Sequence, residues 1–190
     1  SFSMVDTDQL REGMARFGIS ATNTLGVSIP TLRALAKECG RDRALAGELW
    51  ESGLHEARIL ASMVDDPGAV NDEQLERWVA DFDSWDVCDQ VCMHLFAKTS
   101  FAYDKVAQWC RRDEEFVKRA GFALIAWLAW GDKKASDESL LSFLPLIAAA
   151  ATDERNFVKT AVNWALRQIG KRNAALNAAA IAAAREIAAM

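Results

Sequence analysis

Along nearly the whole chain the apolar residues fall at helical intervals, as in the arc formed by Val158, Val162, Ala165 and Ile169, and no stretch alternates apolar and polar residues in the manner of a strand. Pro is scarce and Ala plentiful, which favours helix further. The pattern predicts a first helix from Thr7 to Phe17, ended by Gly18, and a loop from Ile19 to Ser28 that runs into Pro30 at the next helix start. Helices follow over Pro30 to Cys39 and Asp42 to Glu51, separated at Gly40. The rest reads as Leu54 to Val64, Asp72 to Phe82, Ser84 to Lys98, Phe101 to Arg112, Glu114 to Trp130, Asp137 to Ala151, Glu154 to Lys171, and an Ala-rich helix from Asn173 to Met190.

The links between these helices are short and polar, so neighbours run antiparallel. Phe116-Val117-Lys118-Arg119-Ala120 recurs as Phe157-Val158-Lys159-Thr160-Ala161, an offset of 41 residues, within the range of HEAT-like helical repeats. The expected fold is therefore all-α: a right-handed superhelix of antiparallel helical pairs, a HEAT-like α-solenoid whose inner face is lined by alternate helices. The helices starting at Leu54, Ser84, Glu114 and Glu154 are such alternate members, and together they could carry Asp89, Arg119 and Trp164 on one wall. The terminal Ala-rich helix reads as a cap.

With 190 residues, 51% of them apolar and 26% charged, the chain can build one good core, and a single domain over residues 4–190 is expected. Ser1-Phe2-Ser3 ahead of Met4 reads as an expression remnant and is set aside. No apolar run reaches membrane-spanning length and no leader pattern opens the chain, so a cytoplasmic protein without membrane contact is expected. The four cysteines, Cys39, Cys88, Cys92 and Cys110, form no C-x-x-C pair, and three of them sit among apolar helix neighbours, where Cys acts as a small hydrophobe. A zinc site from Cys88, Cys92 and His94 is disfavoured because the two thiols face away from the imidazole by about 100° or more on the helix.

The formal net charge is −5, which is awkward for a nucleic-acid ligand, since phosphate neutralisation wants a basic surface. The charge is segregated along the chain. Lys118, Arg119, Lys159, Arg167, Lys171 and Arg172 lie on the later helices, whereas many acids fall in turns and helix starts such as Asp65-Asp66 and Asp113-Glu114-Glu115. Seven Trp stand against one Tyr, and some of that aromatic area reads as binding surface while most is packing.

The densest chemistry is Asp83-Ser84-Trp85-Asp86-Val87-Cys88-Asp89. Asp83 or Ser84 can cap the following helix, and Asp86 in its first turn gains from the helix dipole. Asp89 lies beyond that turn, and the helical wheel places it in one stripe with Trp85, Met93 and Phe96. A carboxylate there is either held in a structural salt bridge or used.

Trp164 falls on the polar side of its helix, beside Thr160, Arg167, Gln168 and Lys171, as either a cation-π partner or a platform for a sugar or base. Arg119, among Phe116, Phe122 and Ala123, is half buried and holds a carboxylate or a phosphate, with Asp89 one candidate and Glu115 on its own helix another. Lys159, Asn163, Arg167 and Lys171 recur every four residues, either as a solvated face or as a stripe that tracks phosphates. His55-Glu56 reads as a helix start. No Gly-rich phosphate loop, nucleophile elbow or zinc-ligand spacing is present.

Taken together, Phe82 to Asp89, Phe116 to Ala120 and Phe157 to Arg167 resemble the AlkD-like family of DNA alkylation-repair proteins, over about Arg16 to Arg172. The pairing of a Trp-Asp-x-x-Asp helix start with a downstream Trp-Ala-Leu-Arg is the most specific part. A monomer is expected, and the resemblance implies a glycosylase that needs no cofactor and releases cationic N3- or N7-alkylated purines from duplex DNA on a concave helical face, without enclosing the base. It implies that Asp89 stabilises positive charge on the deoxyribose and orients water, and that Trp85 and Trp164 pack on the sugar and backbone of the lesion nucleotide. It also implies that Arg119, with Lys118, Lys159, Arg167 and Lys171, holds phosphates. Phe17, a DNA contact by the same resemblance, stands where the family often carries Tyr, so a hydroxyl contact is lost there. Relatives of this kind include proteins that bind DNA with little or no excision, which gives the alternative: a non-catalytic module for distorted or branched DNA or for a protein partner.

Overall fold

The computed structural model describes residues 27–190; the expected helix from Thr7 to Phe17, and with it the assignment of Phe17 to DNA, lies outside them. Every regular element among the described residues is helical. The described residues divide into two compact units, 27–70 and Asn71–Met190.

In the first unit, α1 (Ile29–Cys39), α2 (Arg43–Glu51) and α3 (His55–Val64) pack with α3 against both of the others. Ser28 and Asp42 cap α1 and α2 by accepting from the amides of Thr31 and Leu45. Gly40 ends α1 at a φ of 66° and Gly53 follows α2 at 70°, a conformation that side chains with a Cβ resist. Leu32, Leu49, Trp50 and Leu60 fill the centre, and Asp65 accepts from Arg43 at 3.0 Å.

The second unit holds α4 (Asp72–Ala80), α5 (Trp85–His94), α6 (Ala102–Trp109), α7 (Glu115–Gly131), α8 (Asp137–Leu141), α9 (Leu144–Ala150), α10 (Asn156–Gly170) and α11 (Ala174–Ala188). α7 is its axle. Residues 119–126 of that helix are all buried, as expected of a helix that is apolar all round, and α4, α5, α6 and α10 pack on it. At Gly121 a Cβ would come within 2.6 Å of the Cys110 amide nitrogen, so glycine alone lets α7 lie this close to the end of α6. The repeated motif meets itself across α7 and α10: the Phe116 and Phe157 rings are 5.4 Å apart, and Arg119 Nη1 donates to Thr160 Oγ1, its counterpart in the 41-residue offset, at 3.0 Å.

Two expected helices are interrupted. The segment expected from Ser84 to Lys98 ends as α-helix at His94 and continues as a 3-10 turn over Phe96–Lys98. That turn sends Phe96 into the core with Phe82, Trp78 and Trp109, so Phe96 leaves the helical stripe of Asp89. The segment expected from Asp137 to Ala151 splits into α8 and α9 because Pro145 has no amide hydrogen and its ring would meet the Leu141 carbonyl of a continuous helix.

Candidate functional site

Ser84 caps α5 by accepting from the Val87 amide at 3.3 Å. This sets Trp85 at the first helical position with half of its surface exposed, 50%. One turn later stands Asp89, on the same flank. The buried side of α5 rests on α7, where the Cys88 and Cys92 thiols point at the carbonyls of Phe116 and Ala120, 3.7 and 3.8 Å away. From α7, Arg119 closes a two-pronged pair on Asp89, Nε to Oδ1 at 2.9 Å and Nη2 to Oδ2 at 2.7 Å. Its remaining prong, Nη1, donates to the Phe157 carbonyl at 2.6 Å and to Thr160 Oγ1 at 3.0 Å on α10. One guanidinium thus joins three helices, and its partner is Asp89, not Glu115.

The Asp89 and Arg119 side chains are only 13% and 7% exposed. Burial pushes the Asp89 carboxyl above its ordinary range; the hydrogen bonds and charge of Arg119 oppose that rise, and Asp86 adds to it. Burial also works against charge on Arg119, but Asp89 outweighs it and holds the guanidinium protonated. The site is a buried, charge-balanced pair whose acid is destabilised by its surroundings, beside an exposed indole.

Phosphate binding by Arg119 does not fit this arrangement, because a buried guanidinium already committed to Asp89, Phe157 and Thr160 has little left to offer. Lys118 is also turned away. It pairs with Asp153 at 2.9 Å on the other side of α7 and lines a hollow with Cys110, Arg111 and Pro145. The cations of α10 divide. A residue four positions on advances by about 40° around a helix, so Arg167 and Lys171 share the flank of Thr160 and Trp164, whereas Lys159 and Asn163 face a groove of about 270 Å³ beside Ile147 and Ile187. Lys159, Arg167 and Lys171 are exposed, and none pairs with an acid among the described residues.

Trp164 is half-buried, edge-on to Trp127 at 5.1 Å and 88°. Trp127 in turn meets Trp130 edge-on at 5.7 Å and 83°, and Trp130 is 55% exposed. The Trp127 Nε1 is buried without a protein hydrogen-bond partner among the described residues. Neither Trp127 nor Trp130 stands out on the sequence as a site residue. The available signal is spacing: Trp130 follows Arg119 by eleven positions, close to three whole turns, which returns it to the Arg119 flank.

Among the described residues no group of three His, Cys, Asp or Glu could hold a metal ion, and no helix is long and apolar enough to cross a membrane. A family model described as "DNA alkylation repair enzyme" matches residues 2–190. A solved structure described as "a new family of proteins related to the HEAT-like repeat DNA glycosylases with affinity for branched DNA structures" aligns with a TM-score of 0.79 at 21% identity, covering 94% of this chain and 77% of that one. This likeness shows a shared helical-repeat fold. No curated protein matches the chain.

Proposed function

Since the chain belongs to the DNA alkylation repair enzyme family, we propose that it is a DNA glycosylase that hydrolyses the N-glycosidic bond of cationic N3- or N7-alkylated purines in duplex DNA. The observation that carries this reading is Asp89, a buried carboxylate fixed by the Arg119 fork beside the exposed Trp85. A purine that already carries positive charge is a good leaving group, so the protein need only stabilise the cation that grows on the deoxyribose and bring up water. A carboxylate removed from bulk solvent acts on such a cation with little screening.

Asp89 supplies that charge and accepts a hydrogen bond from the attacking water. Arg119 positions the carboxylate through its two-pronged hydrogen bonds, and burial lifts the acid against the pull of the guanidinium. Trp85 and Trp164 pack against the sugar and backbone of the lesion nucleotide, Trp164 being set one turn beyond Thr160, the residue that Arg119 touches. Arg167 and Lys171, exposed on that flank, meet phosphates, and Lys159 contributes from the neighbouring groove. The reaction draws on no cofactor.

The neutralising fork on Asp89 also supports a second reading, in which the pair is structural and the same face binds branched or distorted DNA without excising a base. One experiment separates the two. Purified protein is incubated with methylated duplex DNA in single-turnover conditions and free 7-methylguanine is measured, for wild type and Asp89→Asn. Release slowed at least 100-fold in the variant, about 2.7 kcal/mol in the transition state, with lesion-DNA affinity retained, supports the glycosylase. No release by wild type, or a variant within a few-fold of it, leaves the binding module.

A further inference from the structure

Trp130 is more exposed than any other described tryptophan, and the lesion contacts proposed above do not use it. A single exposed apolar side chain is ordinary. This one is held. Trp130 is the outer rung of a ladder in which Trp164, Trp127 and Trp130 meet edge to face at 5.1 and 5.7 Å, so the outer indole keeps its angle while its free face looks to solvent.

The surroundings carry one acid, Asp132, which accepts from Tyr103 at 2.6 Å and from the Lys134 amide at 3.1 Å, together with several cations. Lys133 donates to the Trp130 carbonyl at 2.7 Å, and Lys134 is exposed in the same turn. Arg172 reaches from the end of α10 to the carbonyls of Ala129 and Ala135 at 3.0 and 3.1 Å, which brings its neighbour Lys171 to the same end of α7. The 41-residue sequence offset that relates Arg119 to Thr160, which touch, also relates Trp130 to Lys171. An exposed, oriented indole with Lys133, Lys134 and Lys171 at the same end of its helix suits a ligand with a flat apolar face on a polyanionic backbone, which is an unpaired nucleotide. In intact duplex the base faces are already stacked and unavailable to it.

We propose that Trp130 is a stacking platform for an unpaired base of a single-stranded or forked DNA segment, with Lys134 and Lys171 on the adjoining phosphates. The platform rests on the DNA-binding reading of this face and gives it a preference for strands that have left the duplex.

The test compares a fully paired duplex with a forked duplex of equal length at one fixed salt concentration, using wild type, Trp130→Ala, Trp130→Phe and Lys171→Gln. Trp130→Ala should bind the fork on the order of tenfold more weakly while paired-duplex affinity stays the same. Trp130→Phe should restore most of the loss, and Lys171→Gln should weaken fork binding with the indole intact. Equal affinities of Trp130→Ala and wild type for the fork, or equal losses on both DNAs, would overturn the platform. If Trp130→Ala fails to fold, a wild-type fork affinity in Lys171→Gln together with a full loss in Trp130→Phe overturns it as well. Wild-type binding to neither DNA would remove the DNA reading of the whole face, an outcome distinct from a failure of Trp130 alone.

Discussion

Lys118 and Arg119 are adjacent on α7, and each takes an acid from a neighbouring segment, yet the two pairs differ in kind. Asp153 receives Lys118 at 2.9 Å and Arg155 three times, through its backbone amide at 3.1 Å, Nε at 3.1 Å and Nη2 at 2.8 Å. The Arg155 hydrogen bonds, helped by Lys118, hold the Asp153 carboxyl well below the usual carboxylate range against the cost of its burial. Asp89 has one cation, itself buried, and its carboxyl is pushed up. Partners in number make an acid a strut. Desolvation with a single partner leaves it ionised but uncomfortable, the condition of a group that can stabilise an incoming cation.

Removing the cation on each side should break that comparison most visibly. Arg119→Ala leaves Asp89 buried and alone and should cost about 3 to 5 kcal/mol of stability, whereas Lys118→Ala leaves Asp153 with Arg155 and should cost about 1 kcal/mol. Chemical denaturation of both variants checks this, and equal losses would mean that the two pairs are alike.

Acidity sharpens it next. The folded pKa of Asp153 is depressed, so the stability it contributes is full above the ordinary aspartate value of about 3.9 and is lost as pH falls through the folded value. The deficit of Asp153→Asn should shrink on acidification. The folded pKa of Asp89 is raised, so its ionisation costs stability as pH rises from the ordinary aspartate value through the folded one, and excision that needs the carboxylate should fail on the acid side at a pH above that ordinary value. Melting against pH for both Asn variants, with the rate profile of wild type, shows whether the two acids respond in opposite directions.

The smallest effect concerns Trp164. Half-buried and in edge contact with Trp127, it should cost about 1 to 2 kcal/mol when replaced by Ala, less than the roughly 3 to 5 kcal/mol of a core Trp, while excision falls sharply. A stable variant with unchanged excision would detach Trp164 from the site.

The all-α architecture was legible because 3.6-residue periodicity and short polar links act locally, and the 41-residue echo proved to mark positions in direct contact, Arg119 with Thr160. The partnership of Asp89 and Arg119 was one of several open options, since a wheel shows which flank a residue takes but not which neighbour it meets. Lys118 misled for the same reason. It adjoins Arg119 in sequence, and a step of about 100° sends it to another side, toward Asp153. The break at Pro145 was readable from chemistry alone, yet the apolar pattern ran through it. Trp127 and Trp130 escaped notice within an apolar run, where the eleven-residue spacing from Arg119 was the one hint that Trp130 shares its flank.

The close approach at Gly121 locks α7 lengthwise against Cys110, and on that fixed rod Arg119 and Trp130 stand eleven residues apart, about 16 Å at 1.5 Å per residue. The rod is therefore a ruler. Its length equals about five base steps at 3.4 Å each along one strand of duplex, so under the DNA-binding proposal it would set a fixed distance between the Asp89–Arg119 pair and the Trp130 platform. A residue inserted between the two marks would turn Trp130 by about 100° as well as displace it, whereas loops such as the one joining α7 to α8 can change length without altering the gauge.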